Sequence, residues 1–363
     1  MTVTAPERTG ILKKLATRLP VANGSGLFKP EMTALNFTNR CNAKCAMCLE
    51  KGNEKGFKPY TLEEAVGVLR QIAELNPGKA KDYLHLWGGE PFLDRELLYG
   101  IVEEADKLGF KFIEIATNGF WGRDRDAARA ILSELGRRVN QAKLSFQLSC
   151  DNFHQCQPIL SPTYLANIIL LIKTEFPAMG LSFNSIVLNN FRSLHDVAAA
   201  VSAIQPQQTN AFFDEVEYHQ FFYGQGSSFV RIPVSFFPVS LSGRCSPALK
   251  AQFGTKPRDP ASIAGINYSP EHQLSIGVDR QLYMNLHYSS PGILPMGSIA
   301  EHSIGELIER IEVDPIAVSL MRHGYAEIYP HLKEMFDFDG WIKQFHSAYD
   351  VLQGLEADEP AIF

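Results

Sequence analysis

The sequence contains no apolar stretch long enough to cross a lipid bilayer. Its longest aliphatic run extends only from Ile168 to Ile172, whereas a spanning helix needs about 20 apolar residues. Residues 1–20 also lack the continuous apolar segment of a signal peptide. We therefore expect a cytoplasmic protein with no membrane partner.

A strong charge of either sign is also missing. The 363 residues include 34 Lys and Arg against 40 Asp and Glu, for a formal net charge of −6, and no basic run stands out. Proteins that hold nucleic acid usually present a basic patch to the phosphates, so no nucleic-acid partner is expected. Because 45% of the residues are hydrophobic, the chain can bury the large core of a globular enzyme.

Cysteine is scarce and unevenly distributed. Of the six cysteines, Cys41, Cys45 and Cys48 fall within eight residues, and none follows Cys245. Three thiols are an odd number for disulfides and one too few for a four-thiolate zinc site. An iron–sulfur cube held by three cysteines leaves one iron open to another ligand, so these three are the predicted metal ligands. The alternative is a surface loop with three structural thiols.

Short apolar strands alternate with longer helical patterns from Met32 onward, which is typical of parallel βα units. The predicted strands are Met32–Thr38, Tyr83–Trp87, Phe110–Ala116, Ala142–Leu148, Leu181–Leu188 and Phe212–Phe222. The predicted helices begin at Thr61 and then cover Asp94–Leu108, Asp124–Arg138, Pro162–Glu175 and Leu194–Ile204. About six units of this kind predict an α/β fold built on a parallel sheet.

Polar or glycine-rich clusters follow several of these strands, at the end where parallel barrels build their active sites. They are Gly88-Gly89-Glu90-Pro91, Thr117-Asn118-Gly119, Ser149-Cys150-Asp151 with His154, and Gly224-Gln225-Gly226. Turn formation is the alternative role for each cluster, since these residue types favour turns. Their common location predicts that the chemistry lies on one rim.

The C-x3-C-x2-C loop, followed one βα unit later by Gly88-Gly89-Glu90-Pro91, resembles the radical S-adenosylmethionine (radical SAM) superfamily. The resemblance implies that superfamily's partial (β/α)6 TIM-like barrel. It also implies one [4Fe-4S] cluster and S-adenosylmethionine, whose amino and carboxylate groups chelate the fourth iron. A flavodoxin- or ferredoxin-type electron donor is the implied partner.

The same resemblance assigns cofactor roles by position. Glu90 corresponds to the stretch that holds the methionine amino group, and Gly224 to a loop that runs under the adenine. The cofactor-binding residues that it implies are Gly88, Gly89, Glu90, Thr117, Asn118, Ser149 and Gly224. Asp151 and His154 would share the rim, so either can handle a proton near the substrate and both are candidate catalytic residues. A surface position is the alternative for His154.

Beyond Ser227 the alternation ends, and a smaller α+β extension is predicted. Its hairpin strands are Leu274–Ile276 and Gln281–Met284, and a helix begins near Ser303. This part resembles a degenerate SPASM or twitch tail, but Asn285 stands where that tail has a cluster-binding cysteine, so no auxiliary cluster is expected. The predicted division is an N-terminal extension (1–30), the barrel (31–226), the C-terminal module (227–350) and a tail (351–363).

These features predict a radical SAM enzyme that reductively cleaves S-adenosylmethionine to a 5′-deoxyadenosyl radical and abstracts hydrogen from a small-molecule substrate in a biosynthetic pathway. A small molecule is favoured because no peptide-binding domain fits in the ~30 residues before the first strand. Two alternatives stay open. One is maturation of a ribosomally made peptide, and the other is a non-catalytic iron–sulfur sensor or scaffold, which has no need of the glycine-rich cluster at Gly88.

Overall fold

The computed structural model describes residues 10–21, 23–48, 56–75, 80–186, 191–205, 210–214, 220–225, 228–237, 273–285 and 294–337. The predicted tail 351–363, Gly226 and the last two residues of the predicted fifth strand lie outside these ranges. Within the described ranges, no helix combines the length and the apolar character that crossing a membrane requires.

Twelve strands and ten helices are assigned in the described residues. The strands are β1 (Met32–Thr38), β2 (Leu84–Gly88), β3 (Phe112–Thr117), β4 (Lys143–Ser149), β5 (Gly180–Ile186), β6 (Asn210–Asp214), β7 (Gln220–Gln225), β8 (Ser228–Ile232), β9 (Val234–Phe237), β10 (Gln273–Ile276), β11 (Gln281–Asn285) and β12 (Pro295–Ser298). The helices are α1 (Gly10–Ala16), α2 (Leu62–Leu75), α3 (Arg95–Lys107), α4 (Arg125–Arg138), α5 (Asn152–Gln155), α6 (Pro162–Thr174), α7 (Arg192–Ile204), α8 (Ile304–Val313), α9 (Pro315–His323) and α10 (Tyr325–Met335).

A nine-stranded sheet forms the centre of the molecule, in the order β12-β11-β10-β1-β2-β3-β4-β5-β9. Neighbours from β10 through β1 to β9 pair in parallel, and only β11 and β12 run antiparallel to their neighbours. The predicted α/β class with a mostly parallel, partial-barrel type of sheet is confirmed. The first five predicted strands all lie in this sheet.

The predicted sixth strand, Phe212–Phe222, is wrong. The segment contains β6 and the start of β7, which join β8 in a separate three-stranded antiparallel sheet. The sixth parallel strand is β9, which pairs with β5. Phenylalanines on both sides of an acidic stretch made one long strand plausible, although that stretch, beginning at Asp214, marks the end of β6. The central sheet therefore continues past residue 226, where the barrel was expected to end.

The predicted hairpin of the C-terminal module is confirmed, since β10 and β11 pair antiparallel. Its first strand also pairs in parallel with β1, so the hairpin extends the central sheet. The predicted helix is α8, which begins after Ser303. The Ser303 hydroxyl accepts a hydrogen bond from the Glu306 N–H, and the Glu306 carboxylate accepts one from the Ser303 N–H. This reciprocal cap fixes the start of α8.

The two faces of the central sheet differ in character. Alternate residues of β2 to β5 are apolar, fully buried and packed with the helices in one core; they include Leu86, Ile115, Phe146, Leu148 and Phe183. Because side chains alternate along a strand, the residues between them point to the other side of the sheet. We call this side the inner face and define it by Trp87, Glu114, Ala116, Gln147, Ser149, Ser182 and Asn184.

Candidate metal and cofactor site

The three clustered cysteines lie in the loop that follows β1, and all three are free thiols. The loop is tightly turned, since the Cys48 N–H donates to the Cys45 carbonyl at 3.1 Å and the Ala43 N–H donates to Cys41 Sγ at 3.4 Å. Together with Ala43, Met47, Phe153 and Ile186 they form a small apolar cluster apart from the main core. The three cysteines thus share one apolar cluster, but within the described residues no three His, Cys, Asp or Glu side chains are placed closely enough to hold a metal ion, and their role as ligands stays a prediction.

Burial controls the chemistry of Cys41. Burial raises the pKa of the Cys41 thiol most, the Ala43 N–H lowers it, and the nearby Glu90 carboxylate and Cys48 thiol raise it, so that it stands at about 12. A thiolate in this position is stabilised when a metal cation replaces the proton. The donor set of three sulfurs is the one that an iron–sulfur cluster with its remaining ligand from elsewhere would require.

Two side chains outside the loop hold it in place, and the sequence did not predict either role. Asn42 Oδ1 accepts a hydrogen bond from Asn118 Nδ2 at 2.9 Å, which ties the loop to the end of β3. The Lys44 N–H donates to Gln157 Oε1 at 3.1 Å, which ties it to the segment after α5. Amide side chains in loops are too common in any sequence for their spacing alone to indicate such contacts.

The Gly88-Gly89 pair lets two backbone segments approach closely. The Gly89 N–H donates to the Thr38 carbonyl at 2.7 Å, and the Glu90 N–H donates to the Arg40 carbonyl at 2.7 Å. A Cβ on Gly88 would lie 2.1 Å from the Thr38 oxygen, and one on Gly89 would lie 2.1 Å from the Arg40 oxygen. The pair thus admits the segment that leads into the cysteine loop, and the cofactor-binding roles of Gly88 and Gly89 stay predictions.

Glu90 is the most heavily engaged carboxylate of the rim, and only 1% of its surface is exposed. Its Oε1 accepts hydrogen bonds from the Phe92 N–H at 3.2 Å and the Thr117 hydroxyl at 2.8 Å, and its Oε2 accepts one from the Asn118 N–H at 2.8 Å. Burial raises the pKa of Glu90 by more than these three donors lower it, so that it stands at about 7. Since each carboxylate oxygen can accept two bonds, Oε2 retains capacity for one further donor, such as an ammonium group.

Thr117 and Asn118 are brought to Glu90 as predicted from their position after β3, but their side chains are already engaged. The Thr117 hydroxyl also accepts hydrogen bonds from Trp121 Nε1 and the Gly119 N–H, both at 3.1 Å. The side-chain amide of Asn118 donates a hydrogen bond to Asn42 and accepts one from the Phe120 N–H. The two residues thus support Glu90 and the cysteine loop, and direct contact with a cofactor stays a prediction.

Asp151 and His154 lie beside the cysteine loop. Asp151 Oδ2 is 2.9 Å from His154 Nδ1, and Asp151 also caps α5 through the His154 N–H. Burial lowers the pKa of His154, but the Asp151 carboxylate and the Cys45 thiol raise it by more, so it stands well above its usual range. His154 is therefore part of the surroundings of the cysteines, and the proposed catalytic roles of the two residues stay predictions.

The remaining predicted residues fall in two places. Ser149 ends β4 on the inner face, half-buried and in register with Asn184. Gly224 does not follow a parallel strand: it lies within β7, opposite Asn210 and Phe229. The expectation of a loop after the sixth barrel strand at Gly224 is wrong, because β7 belongs to the antiparallel sheet.

A polar network on the inner face was also missed. The Glu114 carboxylate contacts His85 Nδ1 at 3.2 Å and Ser182 Oγ at 3.1 Å, and it accepts a hydrogen bond from the Tyr83 hydroxyl. Trp87 extends the same face toward the glycine pair, with its ring centroid 6.3 Å from that of His85. Polar residues at alternate positions of apolar strands were the signal available in the sequence.

Comparison with known proteins gives one family match. Residues 35–181 match the model of the Radical SAM superfamily. GTP 3′,8-cyclase of Aquifex aeolicus is 35% identical over 96 residues, covering 25% of this chain and 28% of that protein. Probable GTP 3′,8-cyclase of Methanothermobacter thermautotrophicus is 35% identical over 107 residues, covering 29% and 32% respectively. The chain thus matches less than a third of the length of either relative.

Two solved structures follow a similar chain path. Streptococcus suis SuiB bound to precursor peptide SuiA aligns over 83% of this chain and 71% of that chain, with 10% identity and a TM-score of 0.49. BtrN in complex with AdoMet and 2-DOIA aligns over 82% and 90%, with 12% identity and a TM-score of 0.43. No substrate follows from either similarity.

Proposed function

We propose that the chain is a radical SAM enzyme that acts on a small molecule, from the premise that residues 35–181 match the model of the Radical SAM superfamily. The observation that carries the proposal is the connection between the cysteine loop and the Glu90 rim. Asn118 donates its backbone N–H to Glu90 and its side-chain amide to Asn42, the residue next to Cys41. A loop with merely structural thiols has no need of this link.

In the proposed enzyme, Cys41, Cys45 and Cys48 bind one [4Fe-4S] cluster, and S-adenosylmethionine fills the open iron position. When bound, these groups supply a 5′-deoxyadenosyl radical that abstracts a hydrogen atom from the substrate. The side chains of Met47 and Phe153, packed around the thiols, exclude water from them. An electron donor of the flavodoxin or ferredoxin type is proposed as the partner.

Glu90 has the role of orienting the methionine ammonium group. Its three hydrogen bonds fix the carboxylate, and the free capacity of Oε2 lets it accept a bond from the ammonium. Because the carboxylate is buried, such a pair is screened little by water. Removal of Thr117 or Asn118 would release the carboxylate, so both act by positioning Glu90.

The small-molecule assignment has support from the relatives, since both named proteins are GTP 3′,8-cyclases and GTP is a small molecule. A second support is the inner face, where small polar side chains lie on central strands next to the rim. Maturation of a peptide is the competing outcome, and binding of a short precursor peptide would favour it.

The experiment is anaerobic reconstitution with iron and sulfide, followed by incubation with S-adenosylmethionine and dithionite and measurement of 5′-deoxyadenosine. The wild type and Cys156→Ala, which removes an exposed free thiol outside the loop, are expected to form the product. Cys41→Ala is expected to stay at background. Product at the background level in the wild type would overturn the proposal, and iron–sulfur absorbance that S-adenosylmethionine does not change would favour a sensor or scaffold.

A further inference from the structure

A groove of about 430 Å³ lies at the start of α3. Its lining residues are Leu93, Asp94, Arg95, Glu96 and Tyr99. Small-molecule sites in proteins have volumes of about 300–1,000 Å³, so the groove is large enough for a ligand. Helix α3 packs in the main core through Leu98 and Ile101, on the side of the sheet opposite to the inner face. The groove is therefore separate from the candidate metal and cofactor site.

The three charged side chains of the groove are unpaired. Asp94 stands at the N-cap position of α3, but its side chain accepts no capping hydrogen bond. Arg95 and Glu96 are exposed, and neither forms an ion pair in the part of the chain that the structure describes. By contrast, Arg138 at the end of α4 is paired with Glu134. Exposed charges alone do not indicate a ligand, so the buried wall of the groove is the deciding feature.

Tyr99 forms that wall, with only 5% of the residue exposed. The Arg138 guanidinium lies 5.2 Å from the centre of its ring, yet the Tyr99 hydroxyl has no hydrogen-bond partner among the described residues. Buried tyrosine hydroxyls usually have one. Because helical side chains point back toward the helix start, the hydroxyl lies over the first turn of α3. Burial raises the pKa of Tyr99, while Arg95 lowers it and Glu96 raises it. The hydroxyl is therefore protonated and can donate to a ligand in the groove.

We propose that this groove is a further ligand site, and that it binds the zwitterionic head group of a free α-amino acid. The Arg95 guanidinium and the Tyr99 hydroxyl donate to the carboxylate of the ligand. The backbone N–H groups in the first turn of α3, which no side chain caps, add to this attraction. The Asp94 and Glu96 carboxylates accept hydrogen bonds from the ammonium group, and Leu93 contacts an apolar side chain.

The signs of the charges select a zwitterion over ligands with one charge. A simple carboxylic acid would bring its carboxylate close to Asp94 and Glu96, and like charges repel. A simple amine would meet the Arg95 guanidinium with the same result. A molecule that carries both groups on one carbon pairs each charge of the groove with its opposite.

The test titrates the full-length protein with L-leucine, 4-methylpentanoate and 3-methylbutylamine, and measures binding by NMR of the ligand methyl groups. The second compound is leucine without its amino group, and the third is leucine without its carboxylate. We expect leucine to bind saturably. Each of the other two is expected to bind at least about tenfold more weakly, because it lacks one set of charge-assisted hydrogen bonds.

Three variants check the location of the site. Arg95→Ala is expected to weaken leucine binding at least about fivefold, and Tyr99→Phe, which keeps the ring, at least about threefold. Arg70→Ala, which removes an exposed arginine from α2, is the matched control and is expected to bind leucine as the wild type does. Thermal unfolding checks that all three variants are folded.

The absence of saturable leucine binding, equal affinity for 4-methylpentanoate, or equal affinities of Arg95→Ala and Arg70→Ala would overturn the proposal. The titrations require no cluster, so this proposal and the proposed enzyme fail separately. Leucine binding by a protein that forms no 5′-deoxyadenosine would remove the proposed enzyme and support this site.

Discussion

At the scale of single residues, the glycines and carboxylates of the rim act first on the chain itself. Gly89 and Glu90 connect the end of β2 to the carbonyls just before Cys41. Glu90 in turn connects β2 to β3 through Thr117 and Asn118. The rim and the cysteine loop are therefore one hydrogen-bonded unit, and a substitution that moves the backbone of either part is expected to disturb both.

Gly89→Ala tests this close approach. The added Cβ would lie 2.1 Å from the Arg40 oxygen, which the backbone can relieve only by moving away from the cysteine loop. We expect a loss of about 3 kcal/mol in the free energy of unfolding and a lower iron content after reconstitution. The control is Gly67→Ala, which adds a Cβ in open space on α2 and is expected to stabilise by about 0.5–1 kcal/mol. Equal stability of the two variants would contradict the packing argument.

Asp106 gives a pH-dependent prediction away from the site. Its carboxylate accepts hydrogen bonds from the backbone N–H groups of Asn140, Gln141 and Ala142 at 2.6 to 3.0 Å. Burial raises the pKa of Asp106, but these donors lower it by more, so it stands below the ordinary value of 3.8. A depressed pKa adds stability above the unfolded-state pKa, and that stability is lost as the pH falls through the folded-state pKa.

We therefore expect Asp106→Asn to lower the free energy of unfolding by about 1–3 kcal/mol at pH 7. The difference from the wild type should stay constant down to about pH 5 and shrink below about pH 4. Urea denaturation across this range measures it. Asp94→Asn, at a helix start where the side chain makes no capping hydrogen bond, is the control. A difference that grows on acidification would show that the charge is not what the three donors stabilise.

The site could be predicted from sequence only where the chemistry required a rare residue type. Three cysteines at fixed spacing, and a glutamate after two glycines, are uncommon enough to stand out. Asn42, Gln157 and Trp87 do not stand out in this way, because their roles depend on which groups the fold brings next to them. Polar and apolar residues alternate in the strands around Glu114, and this pattern indicates which side chains share one face of the sheet. It does not indicate what packs against that face.

At the scale of elements, one arginine joins the β10–β11 hairpin to the start of α2. Arg280 lies in the turn of the hairpin at φ 62°, a backbone conformation that costs a non-glycine residue about 1–2 kcal/mol. Its guanidinium donates to the carbonyls of Lys58 and Pro59 and to Glu64, and it lies 4.2 Å from the centre of the Tyr60 ring. These contacts offset the cost of the turn.

Arg280→Lys tests this connection, because lysine keeps the charge and loses the planar fork. We expect the free energy of unfolding to fall by about 1–2 kcal/mol, since a point-charge ammonium replaces fewer of the hydrogen bonds and does not stack as well. Arg137→Lys, in an exposed pair with Glu134 on α4, should change stability by less than about 0.5 kcal/mol. Thermal or chemical unfolding measures both variants. If their free energies of unfolding fall by equally small amounts, the hairpin is held by its strand pairing alone.

The predicted helices and strands match the structure where the local hydrophobic pattern and the order of elements along the chain indicate the same arrangement. Strands β1 to β5 are each followed in sequence by a helix, with apolar residues that recur at the spacing of their own structure. The sixth strand failed because β9 is short and follows a separate antiparallel sheet, so its neighbour in the central sheet is β5, far back in the sequence. Pairing of β10 with β1 is more remote in sequence still, and no local pattern indicates it.

At the scale of the whole molecule, the sheet gathers the candidate site at the carboxyl ends of its parallel strands. The cysteine loop follows β1, the glycine pair lies at the end of β2 with Glu90 after it, Thr117 and Asn118 lie at the end of β3, and Asp151 follows β4. The inner face lies between these groups, with Trp87 nearest to the glycine pair. We propose that this arrangement holds one iron–sulfur cluster with one position open to S-adenosylmethionine.

Electron paramagnetic resonance of the reduced, reconstituted protein, together with its iron content, tests this proposal. We expect about four irons per chain and the signal of one reduced cluster, which changes when S-adenosylmethionine is added. Glu90→Ala should keep the iron and lose most of that change, and Cys45→Ala should lose both. A cluster signal that S-adenosylmethionine leaves unaltered in the wild type, or an iron content near eight, would contradict the account.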